Sequence, residues 1–264
     1  MSSIVDEITL ESATNFRGRI ALAALTGRKL HLKNVHADDN ISPGLRPHEA
    51  AILKLLQLVS EDIEIKVSAN NTNVIINPGL LLGCKDKLVF ECPTTRGISY
   101  YLEFLCMICY FFSFPLNIKL MGVTNHTLDP SVNSFFIAIS SFQKRVNLPV
   151  LSVNVEARGL LPDGGGSVTV TSPVVKKIEP FTILNTGKIY KLRGSAFSCH
   201  VTKNFVVRMI SQIREIFNHV LSDVYIYEDV CGKEKAGKST GFGVELVAET
   251  FLGTIITRIL LLEQ

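Results

Sequence analysis

The stretch Arg158-Gly-Leu-Leu-Pro-Asp-Gly-Gly-Gly166 organises the interpretation of this sequence, because strand-like runs flank it at residues 151–156 and 167–171. Its Pro-Asp-Gly segment is typical of a turn. Three consecutive glycines permit positive φ angles and let backbone N–H groups approach a ligand. With Arg158 beside it, such a loop favours an anion-binding nest. A tight hairpin turn accounts for the same residues, so both interpretations stay open at this point.

Outward from this hairpin, the predicted elements occur twice in the same order, helix-strand-helix-strand-strand. The first copy covers about residues 16–80 and the second about 97–173, with low residue identity between them. The predicted helices are 16–25, 48–59, 99–112 and 132–146, and the predicted strands are 29–35, 63–67, 73–76, 116–121, 151–156 and 168–171. A repeated element order indicates a duplicated unit. We expect each unit to form a sheet with its helices on one face.

Beyond residue 173 the pattern changes to a connecting segment at 174–180. A strand at 189–201, a helix at 203–220 and strands at 223–227 and 244–250 follow it. This order predicts a smaller inserted α/β module. We therefore expect an α/β (α+β) chain with a repeat-built domain at 1–180, the module at 181–254 and a divergent tail at 255–264.

The composition is that of a globular protein, with 264 residues, 47% hydrophobic and 19% charged. A net charge of +3 permits nucleic-acid binding without demanding it. The most apolar segment, residues 100–121, contains Glu103 and Pro115, and its uninterrupted part is shorter than the ~20 residues of a membrane span. We expect no membrane association. The six cysteines are interpreted as reduced thiols, and no metal site or cofactor is expected because no second ligand pair accompanies Cys106 and Cys109.

A second glycine-containing stretch, Gly232-Lys-Glu-Lys-Ala-Gly-Lys-Ser239, matches the phosphate-binding loop of P-loop NTPases. That loop must lead directly into a helix whose N-terminus meets the phosphates. Here Thr240-Gly-Phe-Gly243 and a strand-like run follow instead. We therefore favour a solvated basic hairpin loop over a nucleotide site.

No histidine or serine has a partner that the sequence can place, so no catalytic residue is assigned. Arginine is the residue best suited to phosphate contacts, although scattered arginines are also typical of a solvated surface. The candidates for anion or RNA binding are Arg17, Arg19, Arg46, Arg158, Gly164, Gly165, Gly166 and Arg193.

Taken together, these motifs resemble the RNA 3'-terminal phosphate cyclase family. Arg158-Gly159 followed by Pro162-Asp-Gly-Gly-Gly166 resembles its R-x-G-x-x-P-x-G-G-G region. Further stretches agree in order, among them Ser42-Pro-Gly-Leu-Arg46, Arg96-Gly-Ile-Ser99 and Gly237-Lys-Ser-Thr-Gly241. The resemblance covers about residues 15–254.

The resemblance implies one of two branches. True cyclases use ATP to adenylylate a histidine, whereas a eukaryotic cyclase-like branch is implicated in small-subunit pre-rRNA processing with a GTPase. Glu11-Ser-Ala-Thr-Asn15 stands where cyclases have Glu-Gly-Gly-Gly, which favours the cyclase-like branch. We also expect a chain truncated at its C-terminus relative to the family, without the segment that holds the adenylylated histidine.

The resulting prediction is a ribosome biogenesis factor for 18S pre-rRNA processing in the nucleus and nucleolus. Its expected partners are pre-rRNA and a nucleolar GTPase of the small-subunit processome, and no cyclase activity or cofactor is expected. The alternative is an active ATP-dependent RNA 3'-terminal phosphate cyclase.

Overall fold

A computed structural model describes residues 7–84 and 86–262. In these ranges the helices are α1 (Phe16–Thr26), α2 (Pro47–Leu58), α3 (Ile98–Ile108), α4 (Val132–Arg145) and α5 (Lys203–Phe217). The strands are β1 (Glu7–Glu11), β2 (Lys29–Lys33), β3 (Ser60–Glu61), β4 (Glu64–Val67), β5 (Val74–Asn77), β6 (Leu80–Leu81), β7 (Leu88–Glu91), β8 (Leu116–Gly122), β9 (Ser152–Ala157), β10 (Gly166–Ser172), β11 (Ile189–Cys199), β12 (Asp223–Cys231), β13 (Gly241–Thr250) and β14 (Ile255–Leu262).

The first two sheets have the same topology. Their strand orders are β1-β2-β5-β4 and β7-β8-β10-β9. In each, the first strand runs parallel to the second and the last two strands are antiparallel. A helix connects each parallel pair, as parallel pairing requires. The mixed α/β fold built from repeated units is confirmed.

The local signals that start and end the helices are visible in the sequence. Pro47 opens α2, where its missing N–H costs no hydrogen bond. Ser131 caps α4, since its Oγ accepts a hydrogen bond from the N–H of Ser134. Gly27 ends α1 with φ of 67°, a conformation that glycine adopts without strain. These signals explain why the predicted helix positions are close to the observed ones.

The third sheet has the order β12-β11-β13-β14. β11 is parallel to β12 and antiparallel to β13, and β14 pairs antiparallel with β13. One face is covered by α5, whose Val206 and Ile213 pack with Ala196, Ile226 and Val244 from the strands. Because side chains alternate along a strand, the odd-numbered residues of β11 and β12 point to the other face.

Several predicted boundaries are corrected by the structure. β12 continues beyond residue 227 to Cys231, because it pairs with β11 along its whole length. β13 starts at Gly241, so the connecting loop is shorter than expected. α5 ends at Phe217 instead of residue 220, and a 3-10 turn, Cys109–Phe111, replaces the predicted end of the third helix. β14 was not predicted as a strand.

The described residues form two compact units. Unit 1 comprises the described residues within 1–87, 101–117 and 173–175. Unit 2 comprises the described residues within 88–100, 118–172 and 176–264. These units do not coincide with the predicted division at residue 180, which stays a prediction about domain organisation. Among the described helices, none is both long and apolar enough to cross a bilayer.

Candidate functional site

In unit 2 the two glycine-containing stretches dock on each other. We call residues 158–166 the Gly-rich loop and residues 232–240 the Lys-rich loop. Arg158 N donates to Lys235 O at 2.8 Å, and Gly237 N donates to Arg158 O at 2.6 Å. Lys238 N donates to Gly164 O at 3.1 Å. The two loops therefore form one backbone-paired structure.

This pairing requires glycine where the backbones approach most closely. A Cβ on Gly237 would lie 2.4 Å from Gly164 O, and a Cβ on Gly165 would lie 2.9 Å from Lys238 N. Gly164 and Gly165 also have φ of 65° and 79°. The glycines thus have a structural role in the described chain, which fits the hairpin interpretation of the Gly-rich loop.

The Lys-rich loop does not have the structure of a P-loop. It leads into the strand β13 at Gly241, and no helix follows it. Ser239 is buried, and its Oγ accepts a hydrogen bond from Asp163 N at 2.9 Å. Because a strand follows the loop where a helix is required, and Ser239 packs against the Gly-rich loop, the P-loop hypothesis is wrong.

Behind the docked loops, Arg158 is buried in a network of polar side chains. It is 4% exposed and Glu245 is 3% exposed. Its Nη1 donates to Glu245 Oε1 at 2.6 Å and to Asn125 Oδ1 at 2.9 Å. Its Nη2 donates to Asp229 Oδ2 at 2.5 Å. The guanidinium also lies over the Phe197 ring, with Cζ 4.1 Å from the centroid.

The electrostatics of this network hold Arg158 in its charged form. Burial opposes the charge, but the carboxylates of Glu245 and Asp229 outweigh it and raise the pKa of Arg158. Glu245 Oε2 accepts from Ser131 Oγ at 2.6 Å, so both of its oxygens have donors. Arg158 thus faces protein carboxylates and not solvent. Glu245 was missed by the sequence reasoning.

Two cysteines lie side by side at one end of the third sheet, and the sequence did not predict that they are neighbours. The register of β11 and β12 places Cys199 opposite Cys231. A hydrogen bond from Cys199 and the positive charge of Arg158 lower the pKa of Cys231 to about 7, although burial opposes this. The pKa of Cys199 is raised by the same partner and by burial. The two thiols are neighbours because of the register between β11 and β12, and this register cannot be read from the sequence.

In unit 1 a cleft of about 490 Å³ lies beside the N-terminus of α1. We call it the α1 cleft; it is lined by Ser12, Ala13, Thr14, Asn34, His36, Ala37, Asp38, Asp39 and Arg46. Three of these have a left-handed backbone, with φ of 65° at Ser12, 55° at Asn34 and 46° at His36. Such conformations are uncommon for residues other than glycine and concentrate at binding sites.

Two features of the α1 cleft suit an anion, although Asp38 and Asp39 also line it. Asn15 caps α1 without a side-chain hydrogen bond, and the first turn contains no acidic residue. The positive end of a helix dipole attracts anions. Arg19 Nη1 donates to Glu11 O at 2.8 Å and to Ser12 O at 2.9 Å, which fixes the loop before the helix. Arg46 donates to Ser42 O at 2.8 Å and pairs with Asp39.

The ion pair between Arg46 and Asp39 gives a pH-dependent prediction. Hydrogen bonds from Arg46 and from the N–H groups of Ser42 and Ile41 lower the pKa of Asp39 to about 2, from an ordinary 3.8. A lowered carboxyl pKa means that the contact stabilises the loop above the ordinary pKa and is lost as pH falls towards 2. We expect a carbon-13 NMR titration to give about 2 for Asp39. In Arg46→Ala the value should return towards 3.8, whereas Lys54→Ala on α2 should leave it unchanged.

The remaining candidate arginines lie in ion pairs of their own. Arg17 Nη1 is 2.7 Å from Glu103 Oε2 in unit 1, and Arg193 Nη1 is 2.7 Å from Asp223 Oδ1 in unit 2. Arg46 lines the α1 cleft of unit 1, and Arg19 fixes the loop that forms one of its walls. Arg158 lies with the three glycines in the Gly-rich loop of unit 2. Within residues 7–84 and 86–262, no group of three His, Cys, Asp or Glu residues is placed to hold a metal ion.

Comparisons with known proteins agree with the resemblance seen in the sequence. A model of the family described as RNA 3'-terminal phosphate cyclase matches residues 8–261, which includes part of the predicted tail. A probable RNA 3'-terminal phosphate cyclase-like protein of Arabidopsis thaliana is 38% identical over 94% of this chain and 66% of its own length. The RNA 3'-terminal phosphate cyclase-like protein of Homo sapiens is 34% identical over 97% of this chain and 69% of its own length.

A relative with a more specific name is the rRNA processing protein rcl1 of Schizosaccharomyces pombe. It is 33% identical over 89% of this chain and 65% of its own length. The chain thus spans about two thirds of the length of the curated relatives that it matches.

Proposed function

The chain belongs to the RNA 3'-terminal phosphate cyclase family, and from this premise we propose that it acts in ribosomal RNA processing as an RNA-binding protein. The name of the relative from Schizosaccharomyces pombe supports a role in rRNA processing. The observation that carries the RNA-binding part is the α1 cleft. There, the positive end of the α1 dipole and the Arg46 guanidinium supply positive charge suited to a phosphate group.

RNA binding through the α1 cleft predicts a specific salt dependence. Each phosphate contact releases counterions, so affinity should fall linearly with salt on logarithmic axes. We expect Arg46→Ala to weaken binding of a single-stranded RNA and to reduce the salt slope by about 1. Fluorescence anisotropy at several salt concentrations measures both quantities.

A matched control is Lys54→Ala, which removes one positive charge from the exposed face of α2. It should leave the salt slope unchanged. If the unaltered chain shows no salt-dependent RNA affinity, the proposal is wrong. If Arg46→Ala and Lys54→Ala have equal effects, the α1 cleft is not the RNA site.

At finer detail, we propose that the RNA is small-subunit pre-rRNA and that the protein partner is a GTPase in the nucleolus. These points rest on the resemblance to the cyclase-like branch. A tagged chain should concentrate in nucleoli, and its immunoprecipitate should be enriched in 18S precursors and contain a GTPase. Equal recovery of small- and large-subunit precursors would argue against the assignment.

We propose that this function does not require cyclase activity. Ser12 has φ of 65° in the loop where cyclases have consecutive glycines, so it adds a side chain to a backbone that glycine would accept without strain. This loop forms one wall of the α1 cleft. The alternative, an active cyclase, predicts covalent labelling of the chain by ATP labelled in its α-phosphate, and a labelled histidine would establish it.

A further inference from the structure

The edge strand β12 of the third sheet carries two exposed tyrosines side by side. Tyr225 and Tyr227 are 49% and 55% exposed on β12. They are two residues apart, so their side chains leave the same face of the strand. Their ring centroids lie 4.7 Å apart with an interplanar angle of 71°. We call this pair the Tyr platform.

The helix of this module covers the opposite face of the sheet. Val224 and Ile226, which alternate with the tyrosines, pack against α5. On the face of the Tyr platform, Phe197 and Glu245 are buried under Arg158 and the start of α4, so the exposed part is a strip along β12 and the first half of β11. On the platform face, the neighbouring strand presents Arg193 opposite Tyr225 and Ser195 opposite Tyr227. Exposed aromatic side chains that adjoin one another, unlike single exposed apolar residues, are a feature of interaction sites.

The charged groups around the Tyr platform are mostly paired with one another. Its neighbouring carboxylates are held by basic groups, with Asp223 2.7 Å from Arg193, Glu249 2.7 Å from Lys191 and Asp229 2.5 Å from Arg158. Arg214 of α5 adds a positive charge at the sheet edge, with Cζ 5.8 Å from the Tyr225 centroid. Among the described residues, Arg214 forms no ion pair.

We infer that the Tyr platform binds single-stranded RNA by stacking unpaired bases on Tyr225 and Tyr227. Aromatic side chains exposed on a sheet that is backed by a helix are a known way of holding two or three RNA bases. Arg193 lies opposite Tyr225 in the strand register and Arg214 lies near its ring, and we assign the contacts with flanking phosphates to these two arginines. The platform would accept bases of any sequence, since every base has a π-face. This inference rests on the proposed RNA-binding function and adds a site in unit 2.

The test is binding of a single-stranded RNA of about 12 nucleotides by the variant Tyr225→Ala/Tyr227→Ala. We expect RNA affinity to fall by about 10-fold or more, because each base that stacks on an aromatic ring contributes to the free energy of binding. The salt slope should stay unchanged, since no phosphate contact is removed. Tyr225→Phe/Tyr227→Phe should keep the affinity, because phenylalanine retains the stacking surface. Both tyrosines are exposed, so the variants should fold.

The matched control is Phe111→Ala, which removes an aromatic ring that is 54% exposed and lies outside the platform. It should bind RNA as the unaltered chain does. Unchanged RNA affinity of the double alanine variant would overturn the platform and leave the proposed function standing. Absence of salt-dependent binding by the unaltered chain would overturn both. Unchanged RNA affinity with loss of a co-purifying protein would identify a protein-binding surface instead, which also overturns the inference.

Discussion

Replacement of Arg158 by methionine should lower the free energy of unfolding of unit 2 by about 3–5 kcal/mol, as is typical when one partner of a buried ion pair is removed. The reason is the charge that remains. Glu245 is 3% exposed, and its Oε1 would keep only the Asn125 donor in place of the guanidinium. A carboxylate that is buried without a counterion is costly. Urea unfolding, together with hydrogen exchange of the β11 and β13 amides, measures the loss.

Two further variants separate the charge effect from general damage. Arg158→Met/Glu245→Gln removes both charges and should recover more than half of the loss, because a buried pair contributes little net stability once both members are replaced. Arg193→Met breaks a pair in which Arg193 and Asp223 are 32% and 50% exposed, and should cost less than about 1 kcal/mol. Equal losses for Arg158→Met and Arg193→Met would contradict the burial argument.

The repeated fold was predictable from the sequence because helix periodicity and caps are local signals. The starts of α1, α2 and α4 depend on residues within one turn. β1 and β7 were missed because each is a short strand at a sheet edge, and β1 begins and ends with exposed glutamate. Both have a local strand signal, alternation in β1 and an apolar run in β7, but a signal of only five or four residues does not distinguish a strand from a loop, and the parallel partner defines it.

The partners of Arg158 were not predictable for a different reason. Glu245 lies 87 residues away in sequence and Asp229 lies 71 residues away. The sequence marked Arg158 as a basic residue beside a glycine turn, which is compatible with both an anion site and a buried ion pair. Burial decides between these, and burial depends on the β11–β13 sheet, whose register a single sequence does not determine.

Replacement of Gly237 by alanine should separate the docked loops of unit 2. The added Cβ would lie 2.4 Å from Gly164 O and 2.7 Å from Arg158 O, and both are backbone atoms that no side-chain rotation can move. The hydrogen bonds from Gly237 N to Arg158 O and from Lys238 N to Gly164 O would have to lengthen or break. We expect a loss of about 1–3 kcal/mol of unfolding free energy, the usual cost of overpacking. Hydrogen exchange should become faster at the Lys238 and Asp163 amides.

The other glycine of the same motif provides the control. A Cβ on Gly232 would meet nothing within 4 Å, so Gly232→Ala should change stability by no more than about 0.5 kcal/mol, as for other surface positions. A phosphate-binding loop would need both glycines for its ligand and would lose nucleotide affinity in either variant. The docked-loop structure predicts a large difference in stability between the two variants, because only Gly237 faces another backbone. Similar stability of the two variants would show that the loops are not packed together in solution.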